Sequence, residues 1–411
     1  MQYKNQWKLF LQLNEHLLSA ENRIIADKFL TGFDDNIRER VAASMNIFCL
    51  DGWHCDGHWA ILQELQQYNP AMLAIPESID PDRSSLLYNT TEGWCNDAIF
   101  NTINTIVKLC GLNPDKTFYI NCAVNVNDVY QDFCAKNNVA NPIKECICVN
   151  GYDNSAHGVY QECLAPMNIV PFAEKKLFCT FNWNPWDHRL GLIALLHYYD
   201  LIDDGYVTSP GVAKFRYDQH DFEFGKKRAR EFLASLPDCD KIIEKFETLR
   251  DRYPLKIDDR SQYSYTDQVL YDQYLKAPLE EARENSLFEV VAETKFDQEY
   301  FYSEKTFYPV HKNKPFMLVS SQGAMSGLKK LSYRTYSPFI DESYDSEPDA
   351  ARRTQMVVEE LARLKKLRAE QPDKFRADYI KMMSVANINR AVHRSKKHTL
   401  PTVIDNLRFR V

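Results

Sequence analysis

At 411 residues, with 45% apolar and 26% charged side chains, the chain can hold two domains that each bury a core, and its composition is that of an ordinary globular protein. No apolar stretch approaches the ~20 residues that cross a bilayer, and residues 1–30 are polar and helix-patterned, without the apolar segment of a secretory signal. The net charge of −7 is uneven: residues 351–411 carry 15 Lys and Arg against 6 Asp and Glu, so an acidic body is followed by a basic end.

Residues 1–45 read as one or two helices. Met45 to Leu50 reads as a strand, followed by a polar loop from Asp51 to His58 and a helix through Tyr68. Ala71 to Ile75 reads as a second strand, ending at Pro76-Glu77. Trp94 to Cys110 is helical and is stopped by Gly111. Thr117 to Cys122 and Glu145 to Val149 read as further strands. Strands alternating with helices predict a parallel sheet with helices on both faces. The eleven cysteines run from Cys49 to Cys239. Their odd number and irregular spacing predict reduced thiols and a cytoplasmic location.

A change of domain fits before the Lys175 strand. Leu177 to Phe181 is a short apolar run, Asn182 to Asp187 a polar turn with tryptophans, and Leu190 to Tyr199 an apolar-periodic helix closed by Gly205. Strand, polar loop and helix with Arg189 in the first turn make half of a mononucleotide-binding unit, in which Arg189 would offer a planar fork to phosphate oxygens. Residues 210–285 are charged and tyrosine-rich, with helices predicted at 226–235 and 238–252. About a hundred residues after Arg189, Glu304-Lys305 opens a helix just before the apolar strand at Phe316. A carboxylate there suits two ribose hydroxyls, and an ammonium beside a helix N-terminus suits a diphosphate. Residues 351–369 form a strong helix by propensity.

The two blocks, Lys175 to Asn182 with Arg189, and Glu293 with Ser303-Glu304-Lys305 and Phe316 to Ser321, resemble the donor-binding half of GT-B glycosyltransferases. The likeness is to the fucosyltransferase-10 group and to fucosyltransferase-like bacteriophage proteins. It covers roughly residues 175–345. It departs from the fucosyltransferases at Asn313 to Met317 and, from Leu331 to Asp345, is similar to the phage proteins. The resemblance implies an α/β chain of two Rossmann-like domains facing a cleft, with a C-terminal helical segment. The boundaries are 1–170 for an acceptor domain, 171–350 for a nucleotide-sugar domain and 351–411 for a basic helical tail. It implies an inverting glycosyltransferase with Arg189 and Lys305 on the diphosphate and Glu304 on the ribose. Asn182, His188, Glu293 and Ser303 are grouped with them as donor-binding.

The base that deprotonates the acceptor is expected from the first domain, at Asp51, His54 or Glu77. Asp51 comes first because it ends the first strand, although a carboxylate there also suits a helix cap or turn. No cofactor or metal is expected beyond the nucleotide-sugar co-substrate. His54 and His58 lack the helical spacing that converges two imidazoles, because Asp56-Gly57 intervenes. Asp80-Pro-Asp82 and Asp238-Cys-Asp240 match a metal-binding Asp-x-Asp only at the level of chance. Trp183 and Trp186 suit stacking or packing equally, and Ser321 and Gly323 are placed close to the donor. The expected partners are the donor and a hydroxyl acceptor, either hydroxymethylated DNA in a phage-infected cytoplasm or a glycan such as lipopolysaccharide. The basic end suits DNA phosphates or a face pinned to the acidic body. The non-enzyme reading is an inactive sugar-binding protein.

Overall fold

The computed structural model describes residues 46–51, 84–89, 96–109, 113–121, 125–148, 168–182, 186–209, 222–257, 276–294, 296 and 301–395. They are mixed α/β and fall in two compact units, residues 1–155 with 397–411, and residues 156–396. Among the described residues no helix is long and apolar enough to cross a membrane.

The first unit holds a parallel sheet in sequential order, β1 (Asn46–Asp51), β2 (Ser84–Asn89), β3 (Thr117–Asn121) and β4 (Glu145–Cys148). The strand expected at 71–75 lies outside the described residues. β2 was not legible, because Ser-Ser-Leu-Leu-Tyr-Asn is short and half polar. Between the later strands run α1 (Asp97–Leu109) and α2 (Val126–Asn137). Their aromatic side chains make the core: Phe100 meets Tyr130 edge-on at 5.1 Å, Phe133 at 5.2 Å and Tyr119 of β3 at 5.9 Å. The α2 chain ends at Asn138, which takes the left-handed conformation at φ 50°, one of the few that asparagine tolerates.

The second unit holds the sheet that positions the candidate site. β5 (Lys176–Thr180), β6 (Gly205–Val207), β7 (Ser286–Ala292) and β8 (Phe316–Val319) lie in the order β6-β5-β7-β8, all parallel. β7 is buried at every position, as expected for a strand in a parallel sheet covered on both faces. Its one acid, Glu289, accepts from Arg283 Nε at 3.2 Å. α3 (Asp187–Tyr198) is buried from His188 to Leu196. It packs against α4 (Phe222–Leu233), α5 (Cys239–Glu247) and α9 (Ala350–Glu370). α6 (Lys276–Glu284) lies against β7, and α7 (Glu304–His311) packs on α10 (Pro372–Ser395). α8 (Ala324–Lys330) follows β8.

Two boundaries differ from the sequence reading. The division falls at 155/156 and not at 170, and residues 168–170 belong with the second unit because Asn285 holds them. Its side chain accepts from Val170 N at 2.9 Å and donates to Asn168 O at 2.7 Å. Residues 350–395 are likewise part of the second unit and not a separate tail. Val357, Val358, Leu361 and Leu364 of α9 and Phe375, Met382 and Ala386 of α10 are buried. The cations of α9 pair within the helix or tie it to its neighbours, Lys365 and Arg368 doing the latter. Arg352 pairs with Glu359, Arg363 with Glu360, Lys365 with Asp204 and Lys366 with Glu370, while Arg368 donates to Ala173 O and Lys175 O. The predicted helices of the charged middle pack into the second unit, since α4 and α5 cover α3 and Arg228 of α4 pairs with Asp187.

Candidate functional site

The order β6-β5-β7-β8 contains a topological switch point. From β5 the chain goes to β6 on one side and later to β7 on the other, so the sheet reverses at the C-terminal ends of β5 and β7, the position at which open α/β sheets bind ligands. The end of β5 leads through Asn182 to the first turn of α3. The end of β7 leads through Glu293 to Ser303 and α7. Two stretches about a hundred residues apart therefore meet there.

Arg189 is 1% exposed and Nη2 donates to Ala292 O at 3.1 Å. His188 Nε2 lies 2.7 Å from Glu293 O. A carbonyl can only accept, so this nitrogen carries the hydrogen. Burial, and then the neighbouring Arg189 charge, push the imidazole down to about 3, which keeps the ring neutral. The ring stacks on Phe296 with centroids 4.8 Å apart. Asn182 bridges β5 to β6: its N–H donates to Thr208 Oγ1 at 2.9 Å and its Nδ2 to Thr208 O at 3.1 Å.

Glu293 is fully buried and its carboxylate holds the start of α7. Oε1 accepts from Ser303 N at 3.0 Å and from Thr306 Oγ1, and Oε2 accepts from Ser303 Oγ at 2.6 Å and Thr294 N at 3.2 Å. Ser303 is also the helix cap, its Oγ accepting from Lys305 N at 3.2 Å. Glu293 and Ser303 are thus positioning residues for α7, and the cation they position is Lys305. It is half-buried, with Nζ 3.1 Å from Thr294 Oγ1 and 3.5 Å from Ser303 Oγ. Glu304 is the first residue of α7.

Asp51 is the last residue of β1 in the first unit. His54 and Glu77 lie outside the described residues, as do His58, Asp80, Asp82 and Trp183. Asp238 and Asp240 sit at the start of α5 in surface pairs with Lys241 at 2.7 Å and Arg230 at 2.5 Å. Trp186 is exposed, and its carbonyl accepts from Arg189 N at 2.9 Å, so its backbone begins α3. Phe296 and Arg353 were not anticipated. Arg353 sits in a charged helix whose cations read alike in sequence, and its place becomes visible only when its guanidinium lies 5.0 Å from the Phe296 ring centroid.

No family model matches the chain, and no curated protein matches it. Among solved structures it is similar to the trehalose-6-phosphate phosphatase N-terminal domain of Candida albicans. The match has 9% identity and a TM-score of 0.39, over 98% of this chain and 75% of that chain. A likeness at that level carries no argument about fold or activity.

Proposed function

We propose that the protein is a glycosyltransferase of the GT-B type, moving a sugar from a nucleotide-diphosphate donor to a hydroxyl acceptor with inversion and without a metal. The observation that carries this reading is the convergence at the switch point of Arg189 and His188 with Glu293, Ser303 and Lys305. Two cations and a capped helix start lie where a leaving diphosphate would develop charge. Lys305 is the cation that reaches the phosphates. Arg189, nearly fully buried, acts through its charge and by holding the end of β7. Glu304 takes the ribose.

In the reaction the acceptor oxygen attacks the anomeric carbon and the bond from that carbon to the diphosphate oxygen breaks. The diphosphate leaves with the electron pair, and a carboxylate or imidazole of the first unit takes the acceptor proton. Asp51 is the first choice for that base, with Glu77 and His54 behind it. The two acceptors are a glycan and hydroxymethylated DNA, and salt-dependent binding to duplex DNA separates them. An inactive sugar-binding protein would bind the donor without turnover.

The test is a thermal-shift screen against UDP, GDP and CMP and their sugars, repeated with Lys305→Ala. Stabilisation by one diphosphate, lost in the variant, is the expected result. No shift with any nucleotide would overturn the reading.

A further inference from the structure

Beside the switch point the second unit contains a cavity of about 930 Å³, within the ~300–1,000 Å³ of small-molecule sites. Phe296 is a shared wall: one neighbour is the stacked His188 ring, and another is the Arg353 guanidinium, which also lines the cavity. The cavity opens at the C-terminal end of β8, where Ser321 and Gly323 lie.

Two groups of its wall bear on what it could hold, the Arg353 cation and the Ser321 hydroxyl. Arg353 is 4% exposed. Its Nε donates to Ser320 O at 2.9 Å and its Nη1 to Glu347 O at 2.5 Å and Pro348 O at 3.3 Å. All these partners are neutral carbonyls, and Nη2 makes no hydrogen bond among the described residues. Ser321 is also buried, and its Oγ has no hydrogen-bond partner among the described residues. An unbonded buried hydroxyl carries a desolvation cost that a ligand hydroxyl would remove.

The same cavity presents acceptors. Glu342 lines it with Oε1 accepting from Tyr336 N at 2.6 Å, and Asp341 with Oδ1 accepting from Ser343 N at 2.9 Å. Asp345 is largely engaged by α8: it accepts from Met325 N at 2.7 Å, Ser326 N at 2.9 Å and Ser326 Oγ at 2.7 Å. Against these three acids stand Lys329 and Arg353, so the lining is one negative charge in excess. Met325 and Ile340 add an apolar wall.

A ligand that both donates and accepts, has an apolar face and carries no negative charge meets all of these conditions. We infer that the cavity receives the transferred sugar as a neutral hexose and rejects acidic sugars. This rests on the donor reading above. Arg353 Nη2 and Ser321 Oγ bond the ring hydroxyl oxygens, and Glu342 and Asp341 accept from the hydroxyl hydrogens.

The experiment compares three ligands on the full chain by calorimetry: a bare nucleoside diphosphate, its neutral hexose form and its hexuronate form. Saturation-transfer NMR of free methyl hexosides runs in parallel. Ser321→Ala and Glu342→Gln are the variants, chosen because neither removes a backbone anchor. The hexose form is expected to bind tighter than the bare diphosphate and the hexuronate weaker. Each variant should weaken the hexose form ~5–10-fold while leaving the bare diphosphate unchanged. Hexuronate binding as tight as hexose, or hexose binding that ignores both variants, overturns the inference. If no diphosphate binds, the donor reading falls and NMR decides the cavity separately. A hexoside signal lost in the variants retains it as a sugar site, and no signal in the wild type ends it.

Discussion

Arg189 Nη2 donates to the carbonyl oxygen of Ala292 across 3.1 Å, tying the first turn of α3 to the last residue of β7 over 103 positions of sequence. His188 repeats the connection one residue along each chain, its ring N–H on Glu293 O. The two bonds cross the place where the sheet reverses its direction of growth. They fix the distance between the loop that follows β5 and the loop that leads to α7.

Arg189 and Lys305 should therefore separate in mutation. Arg189→Ala removes a buried side chain and leaves Ala292 O without this donor, so a loss of ~2–4 kcal/mol is expected. Lys305→Ala trims a half-buried side chain from a helix start and should cost ~1 kcal/mol or less. In urea titrations Arg189→Ala should shift the midpoint strongly and Lys305→Ala slightly, while both weaken diphosphate binding. Equal midpoints for the two variants would contradict the structural assignment.

His188 gives a pH dependence with a defined sign. Its imidazole takes a proton near 6.5 in the unfolded chain and only near 3 in the fold. Below pH 6.5 the unfolded state binds more protons, so this contribution is full above 6.5, declines as the pH falls through 6.5 to 3, and is flat below. At pH 5 the loss from this one group is about 2 kcal/mol. His188→Phe keeps an aromatic ring on Phe296 and removes the titration. Its unfolding free energy should fall less than that of the wild type between pH 6.5 and 5, a window above most carboxylate titration. Parallel curves would exclude His188 as the buried neutral group.

Those parts of the fold that depend on apolar runs were legible in the sequence. β5 and β8 are buried strands of a parallel sheet and read directly as such, and α9 was predicted within a residue of its bounds. β6 was not, because three residues that begin with a glycine carry no periodicity. The charged groups were legible as types and not as roles. Glu293 reads as an acid ending a strand, yet its partners lie at positions 303 and 306, a separation that no spacing rule connects. Arg353 is one of several cations in a helix, and only packing distinguishes the one against Phe296 from those on the surface. The basic end showed the same ambiguity: its charge was readable and the Glu360–Arg363 pair follows helical spacing, but the pairing of Lys365 with Asp204 was a tertiary fact.

Gly205 tests the packing of the edge strand. A β-carbon there would stand 2.5 Å from Cζ of Phe178, whose ring is fully buried in β5 and has little room to shift. Gly205→Ala should cost ~1–3 kcal/mol through overpacking, seen as a lower denaturant midpoint. If the variant is as stable as the wild type, β6 does not lie against Phe178 as described.

Arg363 offers a sharper charge test than the exposed pairs. Its Nη2 donates at 2.6 Å to Glu360 Oε1, and Glu360 is only 5% exposed. Arg363→Ala leaves that carboxylate buried with one fewer partner, so a loss of ~3 kcal/mol is expected. Lys366→Ala, which breaks a mostly exposed pair with Glu370, should cost less than ~1 kcal/mol. Chemical denaturation of both variants decides it, and a cost for Lys366→Ala matching that of Arg363→Ala would show that α9 is held by net charge and not by these particular bonds.

Glu293 is where stability and function are hardest to separate, and the amide variant does so. In Glu293→Gln one oxygen becomes an NH2 that donates. Whichever way the amide turns, it faces either Ser303 N–H or Thr294 N–H, donors that the carboxylate now satisfies. The hydroxyls of Ser303 and Thr306 can rotate to accept, but a backbone N–H cannot. One buried N–H therefore loses its acceptor, at a cost of ~2–3 kcal/mol. Ser303→Ala removes the cap and one hydroxyl donor to the carboxylate, whose Oε2 keeps Thr294 N–H, and should cost ~1–2 kcal/mol. Hydrogen exchange should accelerate at Ser303 and Thr306 in the glutamine variant more than at amides of β8, because the defect lies at the mouth of α7. Uniform acceleration throughout the second unit would mean that Glu293 supports the whole core. Wild-type exchange at Ser303 would mean that its carboxylate does not hold the helix start that presents Lys305.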